Sequence, residues 1–260
     1  MQTKRCLLVA LLTGAALCAQ SQKPPAARKA AKEEAYVRRI SAGVTLSVLG
    51  LSTVQGGSSQ NVTTSPPVDA VYTATRAQGM SQWIGYGPTV QAVVTDHFAV
   101  SAGMFLRRMG YILNSDVYTG VDNANTSTDE RTHTVSYEHT QAKLLDFPVT
   151  VRYYTKSRHA PGPRGFLELG GVLRRVSGVR SSTDTTINDG TMSCCDTTPA
   201  TPAHRALKGF VGGFGLQFID PFGIRVVPEV RYTRWMGETF SGYSTATRRN
   251  QLEIMISLSF

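Results

Sequence analysis

Charge is scarce in this chain. Asp, Glu, Lys and Arg supply only 17% of its 260 residues, low for a soluble cytosolic protein of this size. Long apolar runs are missing too. Past the first twenty positions no stretch reaches the ~18 apolar residues of a helical membrane span, so the rest of the chain is not expected to cross a bilayer as a helix. Cysteine is nearly absent, with four residues. Cys6 and Cys18 lie at the extreme N-terminus, and only the neighbours Cys194 and Cys195 remain beyond it. Adjacent cysteines close only a strained small ring, which argues against a structural staple. No His or Cys stands close in sequence to complete a metal site. Neither an HExxH spacing nor a GxSxG elbow occurs. The glycines at Gly170-Gly171 and Gly212-Gly213 lack the Lys-Ser/Thr of a phosphate loop and read as close strand packing or bending. No cofactor, metal or nucleic-acid module is expected, nor an enzyme. A pairing of His139 with Ser136, Ser181 or Ser244 near one rim is the one acyl-transfer combination worth naming, and loop serines are too common here to give it weight.

What is present begins with a secretory signal. Lys4 and Arg5 form a positive n-region, Leu7 to Leu17 an apolar h-region, and Leu17-Cys18-Ala19 a small-residue cleavage site, placing the cut after Ala19. The formal charge of +9 loses Lys4 and Arg5 with the signal and becomes +7. A basic exported chain suits anionic headgroups or acidic polymers. Residues 20–36, with Pro24-Pro25 followed by an Ala/Lys/Glu stretch, read as a periplasmic linker, leaving 37–260 as the folded domain.

In that domain the hydrophobic period is two. Leu252, Ile254, Ile256, Leu258 and Phe260 alternate with Gln251, Glu253, Met255, Ser257 and Ser259, the mark of a strand with one apolar face. Ile40 to Val48, Leu145 to Tyr153 and Ile224 to Tyr232 repeat the pattern. Weaker versions complete eight predicted strands: 37–49, 82–94, 98–111, 141–154, 165–177, 207–218, 222–235 and 249–260. Their connections alternate. Short links (95–97, 155–164, 219–221) take turns with long ones rich in Ser, Thr, Asn, Asp and Gly (50–81, 112–140, 178–206, 236–248). In an up-and-down barrel this gathers all short turns at one end, the asymmetry of outer-membrane barrels.

Alternation alone does not say which face is inside. The polar face carries Arg39, Arg107, Asp146, Arg152, Glu168, Arg174, Arg225, Glu229, Arg231 and Glu253. Arg dominates with acids to match, which suits a crowded polar lumen of Arg–carboxylate forks. Aromatics gather at strand ends, Trp83, Tyr111 and Trp235 at the long-loop end and Phe98, Tyr153, Tyr154, Phe166, Phe218, Phe222 and Phe260 at the other, as in the two girdles of a membrane barrel.

The final strand ending in Phe260, the segment LLDFPVTVRYY (144–154) and the strand–turn–strand unit FVGGFGLQFIDPFGIRVVPEVRYTRW (210–235) resemble the outer membrane protein β-barrel domain family. These are the small eight-stranded OmpA/OmpX/PorT-like bacterial barrels. The resemblance covers about 37–260 and its motifs are degenerate. It implies an all-β, eight-stranded antiparallel up-and-down transmembrane barrel in the bacterial outer membrane, and a terminal Phe260 read as an assembly signal by the barrel-assembly machinery. The expected partners are outer-membrane lipid and lipopolysaccharide, that machinery during insertion, and an extracellular ligand of unknown kind, for a monomeric chain. The expected role is a structural, loop-displaying scaffold with surface binding or adhesion. The alternatives are a small anion-favouring pore and, behind it, a lipid-modifying enzyme.

Overall fold

A computed structural model describes residues 39–51, 53–65, 68–79, 83–122, 125–160, 162–188, 190–220, 222–242 and 245–260. The signal and linker expected at 1–36 lie outside them. Among the described residues all fourteen elements are strands: β1 (Ile40–Leu49), β2 (Val54–Gly56), β3 (Ser58–Ser65), β4 (Val68–Gly79), β5 (Ile84–Val93), β6 (Phe98–Gly103), β7 (Phe105–Thr119), β8 (Thr132–Tyr154), β9 (Arg164–Ile187), β10 (Thr191–Thr197), β11 (Ala206–Ile219), β12 (Arg225–Trp235), β13 (Thr245–Thr247) and β14 (Asn250–Ser259).

Eight of these stations close into an antiparallel barrel in the order β1, β5, β6/β7, β8, β9, β11, β12, β14 and back to β1. Strands β6 and β7 are one station broken at Met104, whose amide donates to the Pro88 carbonyl at 3.0 Å. The break brings the Met104 carbonyl so close to β5 that a side chain at Gly87 would begin 1.7 Å from it. Glycine is required there by the approach of another backbone. The seam joins the chain's first and last strands. Val44 faces Leu258 in its register, and Phe260 exchanges backbone hydrogen bonds with Ala42 at 3.1 and 3.2 Å.

Burial is inverted relative to a soluble barrel. Arg174 and Glu168 are each 1% exposed, whereas Leu169 is 73% and Phe210 62% exposed. The polar face turns inward and the aliphatic face outward. The alternation separates the two faces, because successive side chains of a strand point to opposite sides, and the burial of the charged positions marks the polar face as the inner one.

The long connections depart from the expectation of loops. β7, β8 and β9 run on beyond the wall, pairing Tyr111–Thr119 with Thr132–Thr140 and Thr134–Val135 with Thr186–Ile187. β4 adds to the free side of β7, β3 to β4, and β10 to β9. The result is a six-stranded sheet, β3-β4-β7-β8-β9-β10, continuous with one side of the barrel. Segments 50–81, 112–140 and 178–206 are therefore largely strand, ordered by backbone pairing with neighbours that a single-segment pattern does not reveal. Cys194 and Cys195, within the long connection expected at 178–206, sit on strand β10, and both are free and exposed. Adjacent strand residues point to opposite faces, which separates the two thiols.

Candidate functional site: an ion-paired lumen

Four strands bring the first charged group together. Arg174 on β9 lies directly opposite Asp146 on β8 and forks onto it, Nε and one terminal nitrogen donating to the two carboxylate oxygens at 2.7 and 2.8 Å. Arg107 on β7 reaches the same carboxylate at 3.2 Å and, across the lumen, Glu253 on β14. Gln251 completes the group. Its carbonyl accepts from Arg174 at 3.0 Å and from the Trp235 indole at 3.1 Å, and its amide donates to Glu253. The Trp235 ring also lies under the Arg174 guanidinium at 3.9 Å.

A second group sits nearer the short turns. Arg152 on β8 is paired with Glu168 opposite it on β9 at 3.1 Å and with Glu229 on β12. Arg231 binds the same two acids, each at 2.8 Å. Gln91 accepts from Arg152 and from the Tyr154 hydroxyl, both at 3.1 Å. The Phe166 ring packs against Arg152 at 4.6 Å.

Each group holds two arginines and two acids, so each is neutral. All eight residues are at least 95% buried. Such burial is tolerable only because every carboxylate has charged partners, since an unpaired buried ion is strongly unfavourable. The sequence reading placed six arginines against four acids, and the structure corrects that surplus. Arg39 precedes β1 and is exposed, so it stands at the rim rather than in the lumen. Arg225 is buried but lies where β12 leaves the short turn, opposite Ser259, outside both groups.

Apolar layers close both ends. At the loop end Met109, Tyr111, Ala142 and Leu144 pack with Val54 and Phe240. The last two are delivered by the loops that carry β2 and β13, a small paired cap over the mouth. The Tyr111 and Phe240 rings meet edge-on at 5.7 Å. At the turn end Ala99, Tyr154, Phe166 and Val227 form a second layer, with Arg164 over the Tyr154 ring at 4.1 Å. The polar space left between Ser41, Thr45, Thr89, Gln91 and Ser257 is about 20 Å³, room on the order of one water molecule.

These layers correct the expected aromatic girdles. Tyr111, Trp235, Tyr154 and Phe166 point inward and are buried. Each shares the strand parity of a lumen charge: Tyr111 with Arg107, Trp235 with Arg231, Tyr154 with Arg152, Phe166 with Glu168. Trp83, Phe98, Tyr153, Phe218, Phe222 and Phe260 do face outward. Gln91 and Gln251 were not among the expected site residues, although inward parity beside charged positions was their signal.

Among the described residues the acyl-transfer pairing does not assemble. Ser136 and His139 are three apart on β8 and face opposite ways. Ser181 is directly opposite Thr140, whose hydroxyl it meets at 2.8 Å. Ser244 lies outside the described residues. At the β7–β8 tip Tyr118 stacks on His133 at 4.2 Å, with Arg131 5.1 Å from the Tyr118 ring. Hydrogen bonds from the Arg131 side chain and backbone, reinforced by its charge, hold the exposed Asp129 carboxyl down at about 2.

No family model matches the chain, and no curated protein does. Among solved structures it is similar to Ail, the attachment invasion locus protein of Yersinia pestis, determined with the heparin analogue sucrose octasulfate. The identity is 8% and the TM-score 0.33 over 86% of this chain and all of Ail. A looser likeness is to OccK9 (OpdG) of Pseudomonas aeruginosa, at 9% identity and a TM-score of 0.12 over 86% of this chain and 98% of that one. Both likenesses are too loose to carry a function across.

Proposed function

We propose that this chain is an outer-membrane β-barrel of the small eight-stranded kind, closed to ions and serving as a scaffold that presents its projecting sheet for binding at the cell surface. The observation that carries this reading is the inversion of burial. An aliphatic wall surrounds a lumen of buried ion pairs, which is stable where the outer solvent is hydrocarbon and costly where it is water. Under this reading the signal at 1–19 is removed on export, the linker at 20–36 and the short turns face the periplasm, and the six-stranded sheet faces outward. Phe260 ends the outer wall of the seam and is read during insertion.

A protein whose neutral ion-pair groups fill its lumen conducts poorly. Planar-bilayer recording of the refolded chain at neutral pH should therefore be silent. Steady anion-selective currents from the unmodified protein would make it a pore instead. Protease added to intact cells should cut at 120–131 or 198–205 and spare 155–163 and 219–224. Replacing Phe260 by Asp should sharply lower the amount in the outer membrane, and normal insertion of that variant would count against both the membrane assignment and the recognition of the last residue.

A further inference from the structure

The outside of the wall carries a recess that the lumen does not explain. Between β8 and β9 the register shifts, with Lys143 opposite Ser177 and Ala142 opposite Val179. The extra residue is Gly178, at φ +76°, a left-handed conformation that glycine adopts without steric cost. This bulge turns Ser177 and Arg180 to the same side of the wall. Arg108, Gln141, Lys143, Ser177, Gly178 and Arg180 line a recess of about 500 Å³ there.

Three of those side chains are cations. Arg108 and Lys143 are direct cross-strand partners, an arrangement that repels unless an anion lies between them. Among the described residues no ion pair engages Arg108, Lys143 or Arg180. The lumen is the opposite case, with both guanidinium groups of each quartet matched by acids. A second recess, of about 420 Å³, adjoins the first through the same Arg108 and Lys143 and is lined by Ile84 beside them and by Tyr86 and Leu106 nearer the barrel's middle. One surface is thus cationic at its loop side and apolar at its wall side, across two shared residues.

We propose that the two recesses form one site for an anionic amphiphile of the outer leaflet. Its phosphate-bearing headgroup lies among Arg108, Lys143 and Arg180, and an acyl chain runs over Ile84, Tyr86 and Leu106. This rests on the membrane-barrel reading above. The guanidinium and ammonium groups donate charge-assisted hydrogen bonds to phosphate oxygens, and the Gln141 amide and Ser177 hydroxyl add neutral donors. Three basic groups near a membrane surface amount to roughly a hundredfold in affinity for an anionic headgroup.

The test uses the full chain refolded in uncharged micelles and titrated calorimetrically with bis-phosphorylated lipid A, with its dephosphorylated form and with sodium phosphate. Phosphorylated lipid A should bind at least tenfold more tightly than either control. The triple variant Arg108→Gln, Lys143→Gln, Arg180→Gln should lose roughly a hundredfold, while Lys143→Arg keeps wild-type affinity. All three side chains are exposed, so heat-modifiable gel migration should be unchanged. Equal affinity for the two lipid A forms, or an unaltered triple variant, overturns the site. Sodium phosphate binding as tightly as lipid A overturns the amphiphile assignment. If the chain inserts into vesicles and binding fails, this site alone falls. If it does not insert at all, the membrane reading falls first.

Discussion

The barrel and the sheet that grows from it share three strands and are held by different forces. Along β7, residues Phe105 to Met109 alternate strictly between buried and exposed, while Ile112 to Tyr118 are all half-buried. Inside the wall each residue has one face toward the ion-paired lumen and one toward the outside. Beyond the wall residues of both parities are half-buried, and backbone pairing links the strands there. Sequence period therefore reports burial asymmetry rather than strand formation, and it fades where the asymmetry ends even though the strand continues.

Experiments that damage one region and spare the other sharpen this contrast. The largest effect should come from Glu168→Ala. It leaves Arg152 and Arg231 each short of a partner in a buried interior, and breaking such a pair costs about 3–5 kcal/mol. The urea midpoint of the folded band in lipid vesicles should fall accordingly, and an unchanged midpoint would mean that the quartet is not what holds the barrel. Asp146→Asn keeps the shape but leaves Arg174 with only the neutral Gln251 while Arg107 keeps Glu253, so its cost should fall in the same range of about 3–5 kcal/mol.

Replacing the tip at 120–131 by a short Gly-Ser link should move the same midpoint by less than about 0.5 kcal/mol, the scale of surface changes. A large loss would show that the projecting sheet supports the barrel and would erase the distinction. The smallest effect is expected from Cys194→Ser with Cys195→Ser. Both thiols are exposed on the edge strand β10, and gel migration of the folded band should be unaltered. Its loss would reveal a role in folding for an edge that is otherwise only paired on one side.

Much of the barrel was legible in the sequence because its rule is local. Leu252 to Phe260 alternate within one segment, and the parity of Glu253 already says which side it takes. The short turns were legible for the same reason. The eight quartet charges and Arg225 lie on the buried parity of their strands, whereas Arg39, one residue outside β1 where parity no longer fixes a direction, is exposed. The two neutral quartets were not legible. Which acid meets which arginine depends on how strands far apart in sequence are staggered, as for Arg107 and Glu253. The projecting sheet was hidden for a related reason: segments such as Val68–Gly79 become strand by pairing with β7, and neither face of their partner is distinguished by burial. The inward turn of Tyr111 and Trp235 was present in the parity and was masked by reading aromatics by height alone.

The interior of this barrel is neutralised in stages that follow the order in which its strands meet. Arg174–Asp146 and Arg152–Glu168 face each other across the β8–β9 hairpin and can meet as soon as that hairpin forms. The other partners arrive late: Arg152 meets Glu229 across a separation of 77 residues, Arg231 meets Glu168 across 63, and Arg107 meets Glu253 across 146. Contacts of such long range are slow to form, because the chain between them must first be ordered. Until β12 and β14 are seated, Arg107 and Arg152 lack their cross-lumen acids and the interior stays wet. The second quartet is complete once β12 is seated, and the first waits for β14 to bring Glu253 across the lumen to Arg107, so the interior becomes neutral only with the last strand of the chain in place.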